Sequence, residues 1–314
     1  MKKYSIQTIP IFLIFLLLIC FTPTRLKSQN QPDIGNYMFF LPLVNPAASG
    51  SYNSLAGAIY GRKQWFSLEG SPTRFGAQII QPISNNTIGA QISQESIGVH
   101  SKQKLFGTYT YGIDLNYLQH LVFGLSGGGI LLKSDYSKVQ TTEGSDIQFS
   151  DSKTILRPDF NFGIFFYADN YNFGIALPSL IYNTIINDNG DMHGKSSILP
   201  AYWQYYLHGG YDYRINREYT LSASSLAKIA TNVPIDLDIN VQLQYLNLFG
   251  GGVSFRTNSE ILFFGNVRLN EMFRICYSYH SYFNIKGRHL TGHEIILTFN
   301  TTKSKPAVIQ NPRF

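Results

Sequence analysis

The chain has 314 residues, 15% of them aromatic and 14% charged, with a formal net charge of +6 and two cysteines. Lys2, Lys3, Arg25 and Lys27 carry four of those six charges, so the chain beyond residue 28 sits near +2 (6 − 4) and offers no basic footprint for nucleic acid. Cys20 lies in the same leader, which leaves Cys276 alone and excludes an intrachain disulfide framework.

Residues 1–28 read as a cleavable secretory signal peptide: Lys2 and Lys3 precede an apolar run from Ile9 to Phe21 and a polar stretch that ends at Ser28. Leu18-Ile19-Cys20 lacks the small residue that a lipid-attachment cysteine follows, so simple cleavage is expected, leaving 314 − 28 = 286 residues. Beyond residue 28 no apolar stretch approaches the roughly 18 residues a spanning helix needs. An exported chain of this kind can cross a membrane only as a closed β-barrel, because lipid leaves no other way to satisfy the backbone.

Residues 29–54 come next and contain two apolar clusters, Tyr37-Met38-Phe39-Phe40-Leu41 and Leu43-Val44, that precede any alternating pattern. They need burial, and the expected place is the barrel lumen, as a plug or hatch. Asn45-Pro46-Ala47-Ala48 would make the turn out of it.

From residue 55 the pattern changes to a period of two. Leu105, Gly107, Tyr109, Tyr111, Ile113, Leu115 and Tyr117 face one way, with Thr108, Thr110, Asp114 and Asn116 opposite. Ile235 to Tyr245 alternates for eleven residues, longer than most soluble strands and matched to a tilted membrane stave. Fourteen such segments are predicted, near 55–67, 72–83, 86–95, 102–117, 120–133, 158–168, 170–180, 201–214, 217–229, 234–246, 248–257, 260–270, 272–283 and 291–301. An even count is the bacterial rule. The fold class is therefore all-β, a transmembrane antiparallel barrel over 55–301, with 302–314 as a C-terminal tail.

Every second connection is a tight turn: Asn85-Asn86, Leu118-Gln119, Asp169-Asn170, Ile215-Asn216, Asn247 and Asn270-Glu271, where Asn and Asp tolerate positive φ. The intervening connections include the polar stretches 134–157 and 181–200. Short turns on one end and long loops on the other is the outer-membrane pattern, with both termini in the periplasm. Trp65 and Trp203 suit either an interfacial girdle or an ordinary aromatic core.

The inward parity carries Arg62, Arg74, Arg214, Lys228, Arg256, Arg268 and Arg274 against Asp114, Asp212, Asp236, Asp238 and Glu294. Near-balanced signs fit cross-lumen pairs that order the interior better than a selective pore, which favours one sign at its constriction. His289, His293 and Glu294 superficially suggest zinc-protease spacing, but that motif needs a helix and a second His after the Glu. Gly124-Leu125-Ser126-Gly127-Gly128-Gly129 lacks the Lys-Ser and helix of a phosphate loop and reads as strand glycine. No Gly-x-Ser-x-Gly elbow occurs, and Cys276 reads as a lumen-facing thiol, so no enzyme, cofactor or metal is expected.

Tyr37-Met38-Phe39 and Leu43-Val44-Asn45-Pro46-Ala47 resemble the opening signature of the PorP/SprF family of type IX secretion system membrane proteins. Arg62-Lys63-Gln64-Trp65 with Gly70-Ser71-Pro72-Thr73, Arg157-Pro158-Asp159-Phe160-Asn161-Phe162-Gly163, His208-Gly209-Gly210-Tyr211, Gly252-Val253-Ser254-Phe255-Arg256-Thr257, Gly292-His293-Glu294-Ile295 and Pro312-Arg313-Phe314 continue the resemblance in order. It departs at Ala48-Ser49-Gly50, where the family often has Tyr-Ala-Gly, and at Gly292, where a Ser is usual. The resemblance implies an outer-membrane component of type IX secretion or the linked gliding machinery that helps particular cargo, such as large adhesins, to reach or stay on the surface. It also implies contact with periplasmic machine components, including a peptidoglycan-binding lipoprotein, through the short turns and the tail with Lys303, Lys305 and Arg313. The main rival is a plugged channel of the fatty-acid transporter type, whose hatch also carries an Asn-Pro-Ala sequence. An apolar cavity of Phe and Leu beside the plug would favour that rival, and a lumen filled by charged pairs would favour a scaffold. A third reading is an adhesive surface protein that binds through the loops at 134–157 and 181–200.

Overall fold

The computed structural model describes residues 34–135, 152–183, 196–231, 233–257, 259–285 and 288–301. Residues 1–33, which include the predicted signal peptide, the tail 302–314 and much of the two long loops lie outside them. Fourteen antiparallel strands close into a barrel. In chain order they are β1 (Ala56–Lys63), β2 (Thr73–Ile83), β3 (Asn86–Ile97), β4 (His100–Asp114), β5 (His120–Asp135), β6 (Ser152–Tyr167), β7 (Tyr171–Leu177), β10 (Gln204–Arg214), β11 (Tyr219–Ala230), β12 (Val233–Tyr245), β13 (Phe249–Arg256), β14 (Glu260–Arg268), β15 (Phe273–Ile285) and β16 (Arg288–Asn300). A two-residue ladder, β8 (Tyr182–Asn183) with β9 (Ser196–Ser197), stands apart from the wall. Each stave pairs with its neighbour in sequence, and β1 closes the ring on β16 from Ala56↔Asn300 to Lys63↔His293.

The period of two explains which side of the wall faces what. Ile59 is 58% and Leu105 63% exposed, whereas Arg256 and Glu260 on the other parity are each 1% exposed. This is a soluble protein turned inside out, and only a lipid exterior makes that distribution stable. No helix among the described residues is long and apolar enough to cross a membrane.

Leu55 and Thr301 meet at one end of the barrel, where the Thr301 N–H donates to the Leu55 carbonyl at 2.9 Å. All the short connections predicted at alternate positions fall at this turn end. The long connections after β5 and β7 fall at the other, the loop end. The sorting is looser than expected, because residues 98–99 and 257–259 at the loop end are also short. The turn chemistry differs as well: of the predicted turn residues only Asn247 takes a positive φ, 56°. Elsewhere the amide side chain does the work. Asn216 Oδ1 accepts from the N–H groups of Glu218 and Tyr219 at 2.9 and 2.8 Å, and Asn270 Oδ1 accepts from Met272 and Phe273 at 2.8 Å each.

Residues 34–54 form three short 3-10 turns, Tyr37–Phe39, Leu41–Leu43 and Pro46–Ser51, inside the ring. Pro42 and Pro46 withhold N–H groups at positions where a 3-10 turn needs none. Tyr37, Phe40, Ala47 and Ala48 are buried against Ala56, Ala58, Phe165, Leu226, Phe264 and Ile296, side chains drawn from opposite sides of the barrel.

Candidate functional site

The segment is threaded from one arc of the lumen to the other. At its start the Glu294 carboxylate accepts from the Gly35 N–H at 2.6 Å and the Asn36 N–H at 2.8 Å. The Tyr37 phenol oxygen then accepts from Asn240 Nδ2 at 2.7 Å, and Phe39 meets Phe264 edge-on with centroids 5.8 Å apart. Burial, ahead of the neighbouring Asp238, pushes the Tyr37 phenol up, so it stays protonated.

The Asn45-Pro46-Ala47 turn docks on the opposite wall. Asn45 Oδ1 caps the last 3-10 turn by accepting from the Ala47 N–H at 2.9 Å. Asn45 Nδ2 donates to the Ile164 carbonyl at 3.1 Å and lies 2.9 Å from His208 Nε2. Glycine makes this approach possible. A Cβ on Gly163 would overlap Asn45 Oδ1, and one on Gly124 would overlap the Ala47 backbone. The strand glycine in the Gly-rich run near 124 thus has a specific reason, clearance for the segment.

A belt of charges lines the arc from β11 to β1. Lys228 Nζ lies 3.2 Å from Asp236 and 3.4 Å from Asp238, and Arg256 Nε lies 3.4 Å from Asp238. Glu260 accepts from Arg256 Nη1 at 3.0 Å and from Arg62 Nη2 at 2.9 Å, and its Oε1 lies 2.5 Å from His280 Nδ1. Arg62 also donates to the Tyr282 hydroxyl at 2.8 Å and sits 3.8 Å from Glu294. The belt therefore ends on the same carboxylate that clamps Gly35 and Asn36.

The structure gathers Arg62, Asp236, Asp238, Arg256 and Glu294 but sends the other predicted partners elsewhere. Most pairs run along the wall between nearby strands, since the segment occupies the centre. Arg74 lies in register with Glu95 on β3. Asp114 is 2.6 Å from His120 at the exposed turn end, and Arg214 is exposed there too. Arg268 donates to the turn carbonyls of Asn270 and Glu271, each at 3.2 Å. Arg274 donates to Asn266 Oδ1 at 2.5 Å and to the Asn247 carbonyl at 3.0 Å, and shares a cavity of about 30 Å³ with Asp212. Gln64 and Trp65 belong to the loop after β1: the Gln64 N–H donates to the Pro72 carbonyl at 2.9 Å, and Trp65 takes a φ of 50° with its ring edge-on to Tyr282. His293 and Glu294 point to opposite faces, with His293 Nδ1 2.7 Å from the Tyr277 hydroxyl.

Glu260 and His280, at the centre of the belt, are not among the charged residues predicted to pair in the lumen. Parity contained the signal, since Glu260 shares the phase of Arg268 and His280 that of Arg274. His208 and Asn240, which hold the segment, are visible as inward polar residues but not as its partners, because no local pattern encodes contacts across a lumen.

A family model for the type IX secretion system membrane protein PorP/SprF matches residues 26–299. No curated protein matches the chain. Among solved structures, the CymD monoaromatic hydrocarbon channel superposes with a TM-score of 0.50 at 9% identity, covering 85% of this chain and 92% of that one. A Pseudomonas aeruginosa FadL homologue gives 0.45 at 11%, covering 82% and 93%, and the Pseudomonas putida toluene transporter TodX gives 0.43 at 10%, covering 87% and 95%. At such identities CymD supports a shared barrel fold and nothing about ligand.

Proposed function

The chain belongs to the PorP/SprF family of type IX secretion system membrane proteins, and from that premise we propose that it is a plugged scaffold that helps specific cargo, such as a large adhesin, to be secreted or held at the surface. The outer-membrane barrel is its platform. In this reading the signal peptide is cleaved, the turn end faces the periplasm and meets machine components including a peptidoglycan-binding lipoprotein, and the loop end meets cargo. Gliding, where it occurs, would use the same display step.

The observation that carries the reading is the segment held across the lumen. Residues 34–54 are hydrogen-bonded to both arcs, and the spaces beside them, of about 30 and 70 Å³, are of a size for water and too small for a transported molecule. The rival diffusion channel would need an apolar passage of Phe and Leu past the segment. The space that does exist at the loop end, about 490 Å³, is lined instead by lysine, serine and mixed apolar groups.

Deleting the gene and probing intact cells for surface adhesin tests the reading. Loss of display of one cargo, with small-lipid uptake unchanged, is expected; normal display of all cargo would sink it. Affinity purification from solubilised outer membrane should recover cargo or periplasmic machine components.

A further inference from the structure

The wall is interrupted beside β7. β7 is seven residues long, and its pairing with β6 stops at Phe162↔Leu177 and with β10 at Tyr206↔Ala176. β6 continues towards the loop end for ten more residues, 152–161, with β5 on one side and, among the described residues, no strand on the other. Pro158 lies in that stretch, as expected of a strand with a free edge, because proline cannot serve a ladder on both sides. Residues 178–183 cover the edge with irregular contacts: the Leu180 N–H donates to the Phe160 carbonyl at 2.8 Å and Asn183 Nδ2 to the Pro158 carbonyl at 3.3 Å. A wall closed by such a segment opens more readily than one closed by a ladder.

Behind this covered gap lies the cavity of about 490 Å³, a volume typical of a small-molecule site. Lys102 and Lys104 both point into it from β4, about 7 Å apart along the strand. Neither forms an ion pair or hydrogen bond with a described residue. Two carboxylates share the lining: Asp159, whose Oδ1 accepts from the Phe160 N–H at 2.8 Å, Ser179 Oγ at 2.9 Å and the Ile181 N–H at 3.3 Å, and Glu95, which stands in register between Arg74 and Lys102. Ile130, Leu132 and Trp203 give the rest of the lining an apolar side. Two lysines with no ion pair or hydrogen bond to a described residue, beside an apolar wall and the edge covered by residues 178–183, suit an amphiphilic ligand of negative charge.

We propose that this cavity binds a long-chain anion, its carboxylate or phosphate headgroup held by Lys102 and Lys104 and its apolar chain lying along Ile130, Leu132 and Trp203 towards the gap beyond β7. The inference goes beyond the secretion role and does not depend on it.

Trp203 supplies the reporter, since the chain has two tryptophans and Trp65→Phe leaves it alone. The full chain, purified from outer membrane in non-ionic detergent with folded-barrel gel mobility verified, is titrated with mid-chain brominated stearate. Saturable quenching is expected, at least tenfold weaker for the brominated methyl ester and at least tenfold weaker in the Lys102→Gln/Lys104→Gln variant. Dodecyl phosphate and unbrominated stearate should both relieve the quenching, and inorganic phosphate should not. Equal quenching by acid and ester, or an unchanged lysine variant of native mobility, overturns headgroup recognition. Relief by inorganic phosphate at matched concentration overturns the requirement for a chain. No saturable quenching at all overturns the site.

Discussion

Replacing Glu294 by alanine removes the clamp at the start of the luminal segment while leaving the wall ladder intact. The carboxylate accepts the Gly35 and Asn36 N–H groups at 2.6 and 2.8 Å, and it is 1% exposed, so water does not replace it freely. Hydrogen bonds to a buried charge contribute about 1.5–3 kcal/mol each, so roughly 3–6 kcal/mol of anchoring is lost. His280 and Arg62, 3.6 and 3.8 Å away, also lose a counter-charge, but Glu260 still serves both. The expected result is release of the segment's leading part with the barrel still folded. Hydrogen exchange at residues 35–44 should accelerate by at least two orders of magnitude, and current steps absent from the wild type should appear in planar bilayers. Glu294→Gln, which keeps one acceptor oxygen, should fall between the two. Unchanged exchange and conductance in Glu294→Ala would refute the reasoning, and would mean that packing of Tyr37, Phe39 and Phe40 alone holds the segment.

Other perturbations separate the remaining parts of the argument. Gly163→Ala should push the Asn45 amide off the Ile164 carbonyl and lower thermal stability by about 1–3 kcal/mol, the usual cost of overpacking, read by gel mobility against temperature. Glu260→Gln leaves Arg62 and Arg256 short of a buried counter-charge and should cost about 3–5 kcal/mol in urea unfolding from bilayers; a neutral result would mean that water reaches the belt. A cysteine placed at Asn216 should resist a membrane-impermeant maleimide on intact cells, whereas one at Ser71 should label. The native Cys276 is buried and contributes no background. The reverse labelling would invert the proposed orientation.

The staves were legible because a strand with lipid on one side and a polar interior on the other writes its contacts into alternate residues. The predicted segments 234–246 and 260–270 became Val233–Tyr245 and Glu260–Arg268, shifted by one or two residues at their ends. Apolar residues ahead of the first stave, Tyr37 to Leu41, likewise implied burial before any partner was known. Pairing was not legible. Asp114, Arg268 and Arg274 have the same inward parity as Asp238 and Arg256, yet parity carries no height along the barrel axis. Asp114 and Arg268 sit by the exposed turns, where water and turn carbonyls satisfy them, and Arg274 finds amides instead of a carboxylate. The short β7 was also hidden, since 170–180 reads as a full stave until Pro178 ends it.

The two arcs of the lumen meet the same requirement by different means. Polar groups inside a closed barrel need internal partners, and long charged side chains supply them from β11 to β1, each reaching its neighbour along the wall. From β5 to β7 the inward positions Gly124, Gly163 and Gly174 are too small to fill the space. There the chain's own backbone enters, with Asn45 and Ala47 where side chains would otherwise stand. The luminal segment is thus the complement of a wall built small on one side and charged on the other, with Glu294 holding its start and Asn45 its last turn. Two separate anchors divide the work: loss of the Glu294 clamp frees the leading part, while Asn45 keeps the turn docked on the opposite wall.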